Sequence, residues 1–293
     1  MNYQFPTNVL VGMTFILLFP LFGFLDGQEK SKITNSQKAS RDRPSIMVVQ
    51  GAGGSNEYQA IFRQTCQKIE TASRKAGGEF TWIGAPKGSA PNSDSEKAIS
   101  DLEKTKQAIQ QHKTGTGQFW LILVGHGTFD RKAAKFNLRG PDLSAKQLNL
   151  WLEGMQRPVA VVNCASCSAP FINELAANDR VVVSATQSGF ELNYARFGIH
   201  FADALSNSLA DIDKDDQVSL LESFLFASRK VEEYYKSESR LATEHALIDD
   251  NGDGKGTPLE FFRGVRVIKK SADESIPDGP VANQIHLIQS EFE

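Results

Sequence analysis

The sequence predicts an α/β fold in which helices cover both faces of a mostly parallel central sheet. Three apolar runs rich in β-branched residues, at 119–124, 159–162 and 181–186, have the length of strands that are buried on both faces. Segments with apolar residues at helical spacing lie between them. Strands that alternate with helices in this way are typical of a doubly wound sheet.

The first half of the domain is predicted to contain two strands and two helices. Residues 45–50 form a strand, and the glycine-rich segment after it is interpreted as a tight turn rather than a dinucleotide loop. The helix predicted at 58–75 places Cys66 on its apolar face, where a thiol is usually inert. A short strand at 80–84 precedes a helix that begins near Asp94 and extends to about residue 112.

The second half continues the alternation. A polar loop at 128–141 precedes a helix at 143–155 with Ser144 as its N-cap. The later predicted elements are a helix at 171–177, a loop at 187–196, helices at 197–209 and 220–235, and a short strand at 284–288.

Composition and charge exclude several classes of protein. The chain has 293 residues, of which 40% are hydrophobic and 23% charged, as in an ordinary globular protein. A net charge of −3 gives no reason to expect nucleic acid as a partner. The three cysteines are too few for a disulfide framework, and an odd number leaves at least one thiol free.

Residues 9–25 form an uncharged apolar run that contains Pro20. We interpret residues 1–27 as a secretory signal or an uncleaved membrane anchor, with an internal helix as the alternative, and residues 28–43 as a polar linker. Lys30 and a second lysine after the run by themselves favour a cytoplasmic side. The expectation is nevertheless an exported protein: secreted, periplasmic, or attached to a membrane through residues 9–25.

Two predicted strands are followed by side chains suited to nucleophilic catalysis. His126, between two glycines, follows the strand at 119–124, and Cys164 follows the strand at 159–162. Because ligands bind outside the carboxyl ends of parallel strands, the imidazole and the thiol are expected together at one edge, with the Gly127 and Cys164 amides as oxyanion donors. A histidine in a turn and a cysteine in the core are the alternative explanation.

These motifs resemble those of the caspase-like cysteine peptidases, which share the caspase–hemoglobinase fold. His-Gly after one apolar strand and Cys-x-Ser-x-Ser after the next carry the resemblance, which spans roughly residues 45–209. Asn163 before Cys164 departs from the caspase motif. The match is closer to the legumain-like branch, in which a serine follows the nucleophile by two residues, as Ser166 does here. The resemblance implies a three-layer αβα caspase-like fold.

The resemblance also implies roles for individual residues. Cys164 would be the nucleophile, His126 the proton donor to the leaving amine, and the Gly127 and Cys164 amides the oxyanion donors. Glu191 lies in a segment similar to a legumain specificity loop and would bind a basic or amide P1 side chain, with a solvated loop acid as the alternative. Legumains carry a pocket arginine soon after the first strand, and no arginine stands at the corresponding position here.

Cys167 lies where relatives usually have glycine. It is either a small buried residue or the partner of Cys164 in a disulfide that masks the nucleophile in an oxidising compartment. A thioredoxin-type role is not favoured, because that motif opens a helix in a different arrangement. Cys164 is preferred as the nucleophile because it ends the strand.

Two acidic loops follow the spacing of EF-hand calcium loops, and the alternative is that they are acidic turns that cap helices. The first loop carries an aspartate, Asp216, in place of the usual sixth-position glycine, whereas the second keeps Gly254 there. The predicted metal ligands are Asp211, Asp213, Asp215 and Glu222 in the first loop, and Asp249, Asn251, Asp253 and Glu260 in the second. We expect structural Ca²⁺ and no cofactor for catalysis.

Together these inferences predict a catalytic domain at 44–210, a helical region with acidic loops at 211–268, and a tail at 269–293. The expected function is a cysteine endopeptidase acting on a peptide or protein substrate. The alternative is a catalytically inactive, calcium-stabilised caspase-like scaffold.

Overall fold

The computed structural model describes residues 43–85, 99–270 and 276–287 of the chain. Its strands are β1 (Ser45–Gln50), β2 (Glu79–Ile83), β3 (Phe119–Val124), β4 (Gly127–Phe129), β5 (Ala134–Phe136), β6 (Leu143–Ser144), β7 (Val159–Asn163), β8 (Arg180–Ser184), β9 (Leu247–Asp249), β10 (Thr257–Pro258), β11 (Phe262–Arg263) and β12 (Arg266–Val267). Its α-helices are α1 (Asn56–Lys75), α2 (Asp101–Gln111), α3 (Ala145–Leu152), α4 (Pro170–Leu175), α5 (Phe197–Ala204) and α6 (Leu220–Ser237).

Seven strands form the central sheet, in the order β10-β9-β8-β7-β3-β1-β2. The five strands from β8 to β2 are parallel, and β9 and β10 are antiparallel additions at one edge. Apolar side chains of α1, α5 and α6 pack on one face, and those of α2, α3 and α4 pack on the other. The predicted three-layer fold with a mostly parallel sheet is therefore confirmed.

The three apolar runs predicted as buried strands are β3, β7 and β8. Every residue of these strands is buried, including the polar residues Asn163, Arg180 and Ser184 at the ends of β7 and β8, as expected for strands covered on both faces. Ser144 is the N-cap of α3, in a capping box with Gln147, as the sequence indicates. The helix ends at Leu152, three residues earlier than predicted, and Gly154 with φ of 74° follows it.

The polar segment at 128–141, predicted as a loop, contains a β-hairpin. β5 pairs in antiparallel register with both β4 and β6. Phe136 of β5 is fully buried, which anchors this small sheet to the domain. The prediction of a plain loop is wrong because strands of two or three residues are too short to show an alternating pattern.

The boundary predicted at residue 210 falls within one sheet, since β9 from the later region pairs with β8 from the earlier one. The apolar run at 9–25 and the helix cap predicted near Asp94 lie outside the described residues. Within the described part of the chain, no helix combines the length and apolar character needed to cross a membrane.

Candidate active site

β3 and β7 lie side by side and end at the same edge of the sheet. They pair in parallel as far as Leu123 and Asn163. One residue later, the backbone N–H of Cys164 still donates to the Leu123 carbonyl at 2.9 Å, so Cys164 belongs to the ladder.

His126 lies in an aromatic cage on the α1 side of the sheet. Its ring centroid is 4.7 Å from that of Tyr58, 5.0 Å from Phe62 and 6.0 Å from Tyr194. Burial lowers the pKa of His126 from its ordinary value of 6.5, and a hydrogen bond to the Gly53 backbone opposes this shift. The neutral imidazole is therefore favoured at neutral pH, which is the form that accepts a proton.

Cys164 faces the core rather than the edge. Its side chain is 3% exposed, and a methyl group added at Gly198 of α5 would lie 2.7 Å from its Cβ. The cavity that it lines with Phe62 and Tyr194 has a volume of about 10 Å³, the size of a single water molecule. Burial raises the pKa of the Cys164 thiol well above its ordinary value, so the thiol form is favoured.

The two predicted catalytic residues lie beside the same aromatic side chains, those of Phe62 and Tyr194. Among the hydrogen bonds of the described residues, none joins His126 to Cys164. Because Cys164 continues the ladder, its side chain packs in the same cluster as those of Ala160 and Val162, on the α1 side of the sheet. Cys164 directly follows β7 at the carboxyl end of the sheet, and its thiol is buried there.

Both amides predicted as oxyanion donors already have partners. The N–H of Gly127 donates to Ser166 Oγ at 3.3 Å, and the N–H of Cys164 donates to Leu123. The Cys164 amide is held by the strand ladder and is not available to a substrate oxygen here. The Gly127 amide is held only by a side chain, which a rotation can release.

Ser166, in the segment after β7, contacts Gly127 in the loop that carries His126. The sequence did not indicate a catalytic role for Ser166. Its hydroxyl contacts the main chain of Gly127 twice, accepting from the N–H and donating to the carbonyl, each at 3.3 Å. A methyl group at Gly127 would lie 2.2 Å from the Ser166 carbonyl oxygen.

Cys167 adopts a left-handed backbone conformation with φ of 56°, which explains why a glycine would suit this position. Its side chain is 1% exposed, and its N–H donates to the Glu191 carbonyl at 3.0 Å. Cys164 and Cys167 are both free thiols in this structure, so the predicted alternative of a masking disulfide is not formed.

Glu191, the predicted specificity residue, uses its carboxylate inside the chain. The carboxylate accepts from the backbone N–H groups of Gln187 and His245, and its Oε1 lies 2.5 Å from His245 Nδ1. These contacts tie the loop at 187–196 to the segment before β9. In this conformation the carboxylate is mostly occupied and only partly open to a substrate.

The first acidic loop gathers three of its four predicted ligands. Carboxylate oxygens of Asp211, Asp213 and Asp215 all lie within 4.8 Å of one another. Asp216 adopts the left-handed conformation, with φ of 65°, that the missing glycine would supply. The fourth residue, Glu222, accepts from backbone N–H groups of its own loop and closes the capping box of α6. The trio fits a hard cation that prefers oxygen ligands.

The second acidic loop is arranged differently. Both Asp249 oxygens accept backbone N–H groups, from Gly252 and Gly254, and Asn251 donates to the Ile276 carbonyl. The carboxylates of Asp249, Asp253 and Glu260 do not form a group like that of the first loop among the described residues. Among the described residues, carboxylate oxygens therefore cluster in the first acidic loop and not in the second.

Solved structures similar to this chain include those of a caspase and of a secreted cysteine protease. The crystal structure of the Drosophila initiator caspase Dronc is 12% identical, with a TM-score of 0.48 over 74% of this chain and 82% of that chain. The structure of a secreted C11 cysteine protease from Bacteroides thetaiotaomicron, in complex with an irreversible peptide inhibitor, is 10% identical, with a TM-score of 0.41 over 71% of this chain and 66% of that chain. No protein-family model matches this chain, and no curated protein matches it.

Proposed function

We propose that this chain is a caspase-like endopeptidase that hydrolyses peptide bonds at the sheet edge where β3 and β7 end. The contact between Gly127 and Ser166 carries the proposal, because it joins the loop of His126 to the segment that begins at Cys164. A base beside a segment that offers thiol and hydroxyl groups meets the minimum requirement for acyl transfer. The substrate is a peptide or protein.

The sequence assigns the nucleophile to Cys164 and the proton transfer to His126. With a buried thiol and a raised pKa, Cys164 has to leave its core position before it can attack a carbonyl. Tyr194 lines the same small cavity, and its displacement would expose the thiol. Catalysis by Cys164 therefore requires a conformational change that exposes its thiol.

We also propose that the substrate specificity is legumain-like. Glu191 would bind a basic or amide P1 side chain after exchanging its contact with His245 for one with the substrate. A Glu191→Gln variant is expected to lose preference for Lys and Arg at P1 while retaining hydrolysis of neutral peptides. A peptide library with one varied position measures this preference directly.

The peptidase proposal is tested with the full chain and a fluorogenic peptide library. His126→Ala is expected to abolish hydrolysis, whereas His200→Ala, which changes a histidine of α5 outside the proposed site, retains it. Thermal melting of both variants verifies that they are folded. Equal hydrolysis by His126→Ala and the wild-type chain would refute the proposal.

The burial of Cys164 favours a second candidate, a caspase-like scaffold without catalytic activity. A scaffold needs no accessible thiol, and the Cys164 side chain is only 3% exposed. This candidate predicts a folded chain that hydrolyses no member of the library. It also predicts that Cys164→Ala changes stability alone.

We also propose a bound metal ion and a cellular location for the protein. Structural Ca²⁺ is proposed for the first acidic loop, because the trio of Asp211, Asp213 and Asp215 offers clustered oxygen ligands. Export from the cytoplasm is proposed from the apolar run at residues 9–25. Fractionation of cells that produce the full chain tests the second point.

A further inference from the structure

We propose that a cavity at the amino ends of the central strands binds a phosphate group. The cavity has a volume of about 470 Å³, which is within the range of small-molecule sites. Its lining includes Arg43, Glu79, His112, Gly115 and Arg157. This site does not depend on the peptidase proposal.

The cavity lies at the end of the sheet opposite the candidate active site. Ser45, the first residue of β1, pairs with Glu79 and Phe119, the first residues of β2 and β3. The first residues of β3 and β7 are also paired, so four strands begin at one level. A strand of six residues spans about 20 Å, so a ligand bound here stays clear of His126 beyond the other end of β3.

Arg157 places a buried positive charge in the wall of this cavity. The residue is 7% exposed, and its Nε and Nη2 donate to the carbonyls of Gly117 and Gln118. Among the described residues, no carboxylate lies within ion-pair distance of this guanidinium. Burial lowers the pKa of Arg157, and Glu79 opposes that shift only in part. Because buried charges in proteins are normally paired, an anion beside Arg157 would supply the counter-charge.

The third nitrogen of the guanidinium, Nη1, borders the cavity. The two hydrogen bonds of Arg157 do not use it. A methyl group added at Gly115, which lines the same cavity, would lie 2.6 Å from Nη1. Gly115 has φ of 153°, a conformation that favours glycine, so the turn brings its main chain against the guanidinium. The N–H groups of Nη1 are therefore placed to donate to a ligand in the cavity.

His112 and Arg43 add two further donors to the lining. His112 is 8% exposed, and its ring stacks on Phe119 with 5.2 Å between the centroids, which fixes its orientation. Burial lowers the pKa of His112, Glu79 raises it and Arg157 lowers it, so these side chains are neighbours. Arg43 is exposed and supplies a second guanidinium.

The charges of the lining favour an anion with more than one negative charge. Arg43 and Arg157 carry two positive charges against the single negative charge of Glu79, and a protonated His112 adds a third. Guanidinium groups match the spacing of phosphate oxygens and bind them through charge-assisted hydrogen bonds. A phosphate group, either as the free ion or as part of a small ester, therefore fits this cavity.

Calorimetric titration of the full chain with inorganic phosphate, at constant ionic strength in chloride, measures the binding. We expect one site, with a Kd at least about tenfold higher in Arg157→Lys, because lysine keeps the charge but lacks the guanidinium fork. Arg63→Gln, which removes an exposed arginine of α1 outside the cavity, should leave the Kd unchanged. A chain that binds phosphate no more tightly than chloride would overturn the proposal.

A second variant keeps the test decisive if Arg157→Lys does not fold. Arg43→Gln combined with His112→Phe leaves the hydrogen bonds of Arg157 intact, and phenylalanine keeps the stack on Phe119. This double variant should also raise the Kd for phosphate by about tenfold or more. An unchanged Kd in the folded double variant would show that phosphate binds elsewhere and would overturn the assignment of this cavity.

Glucose 6-phosphate and glucose distinguish the two sources of a phosphate group. Tighter binding of glucose 6-phosphate than of inorganic phosphate supports an ester as the ligand, and equal binding supports the free ion. Glucose alone should not bind. Binding of glucose as tight as that of glucose 6-phosphate would refute recognition of the anion.

Discussion

Gly127→Ala tests the close approach of the β3 and β7 ends. The added methyl group would lie 2.2 Å from the Ser166 carbonyl oxygen, a main-chain atom that cannot rotate away. Overpacking of this kind costs about 1–3 kcal/mol, and the lower entropy of alanine in the unfolded chain returns about 0.4–1 kcal/mol. The expected net loss in the free energy of unfolding is therefore about 1–2 kcal/mol.

Urea unfolding followed by tryptophan fluorescence measures this loss, since Trp120 lies fully buried in β3. At the scale of this domain, the loss corresponds to a fall of roughly 2–8 °C in the melting temperature. Thr128→Ala, at the exposed neighbouring position of β4, is the matched control and should stay within about 0.5 kcal/mol of wild type. A Gly127→Ala chain as stable as this control would show that the two strand ends are not in contact.

The other predictions concern thiols, calcium and pH. Ellman's reagent should react with none of the three cysteines in the folded chain, because Cys66, Cys164 and Cys167 are 0%, 3% and 1% exposed. In urea it should react with all three. Fast reaction of the folded chain would contradict their burial. Removal of Ca²⁺ with EDTA should lower the melting temperature, since a ligand at a hundredfold excess over its Kd stabilises the folded state by about 2.7 kcal/mol. Asp213→Asn should reduce this effect, and an unchanged melting curve would refute the calcium site. Burial lowers the pKa of His112 from 6.5, although Glu79 opposes the shift. As the pH falls, the unfolded chain therefore binds the proton before the folded chain does. The free energy of unfolding is thus expected to decrease below about pH 6.5. His112→Phe, which keeps the stack on Phe119, should flatten that loss in melting curves recorded from pH 7 to 5; an equally steep loss in this variant would assign the effect to other groups.

The central sheet could be predicted from the sequence because its strands have a clear hydrophobic pattern. A run such as Phe119–Val124 is apolar at every position, and only burial on both faces explains that. The cap at Ser144 was also predictable, since capping depends on local hydrogen bonds. The hairpin of β4 and β5 was not, because strands of three residues are too short to show an alternating pattern.

The position of the candidate site in the fold could be predicted from the sequence, but the arrangement of its side chains could not. His126 and the segment after β7 meet at one sheet edge because parallel strands align their carboxyl ends. Which groups of that segment contact the histidine loop depends on how the chain turns after each strand, and here the Ser166 hydroxyl contacts the Gly127 main chain. Those turns depend on contacts between segments distant in the chain, which local sequence patterns do not show.

The sequence by itself determined the layers of this protein, the edge that carries its reactive groups and the residue types available there. The tertiary structure alone decided that Cys164 is core, that Ser166 touches the histidine loop and that Glu191 is held by His245. The physical reason is that composition and periodicity are local properties of a chain. The direction of a side chain at the end of a strand is fixed by how far the neighbouring strand continues beside it.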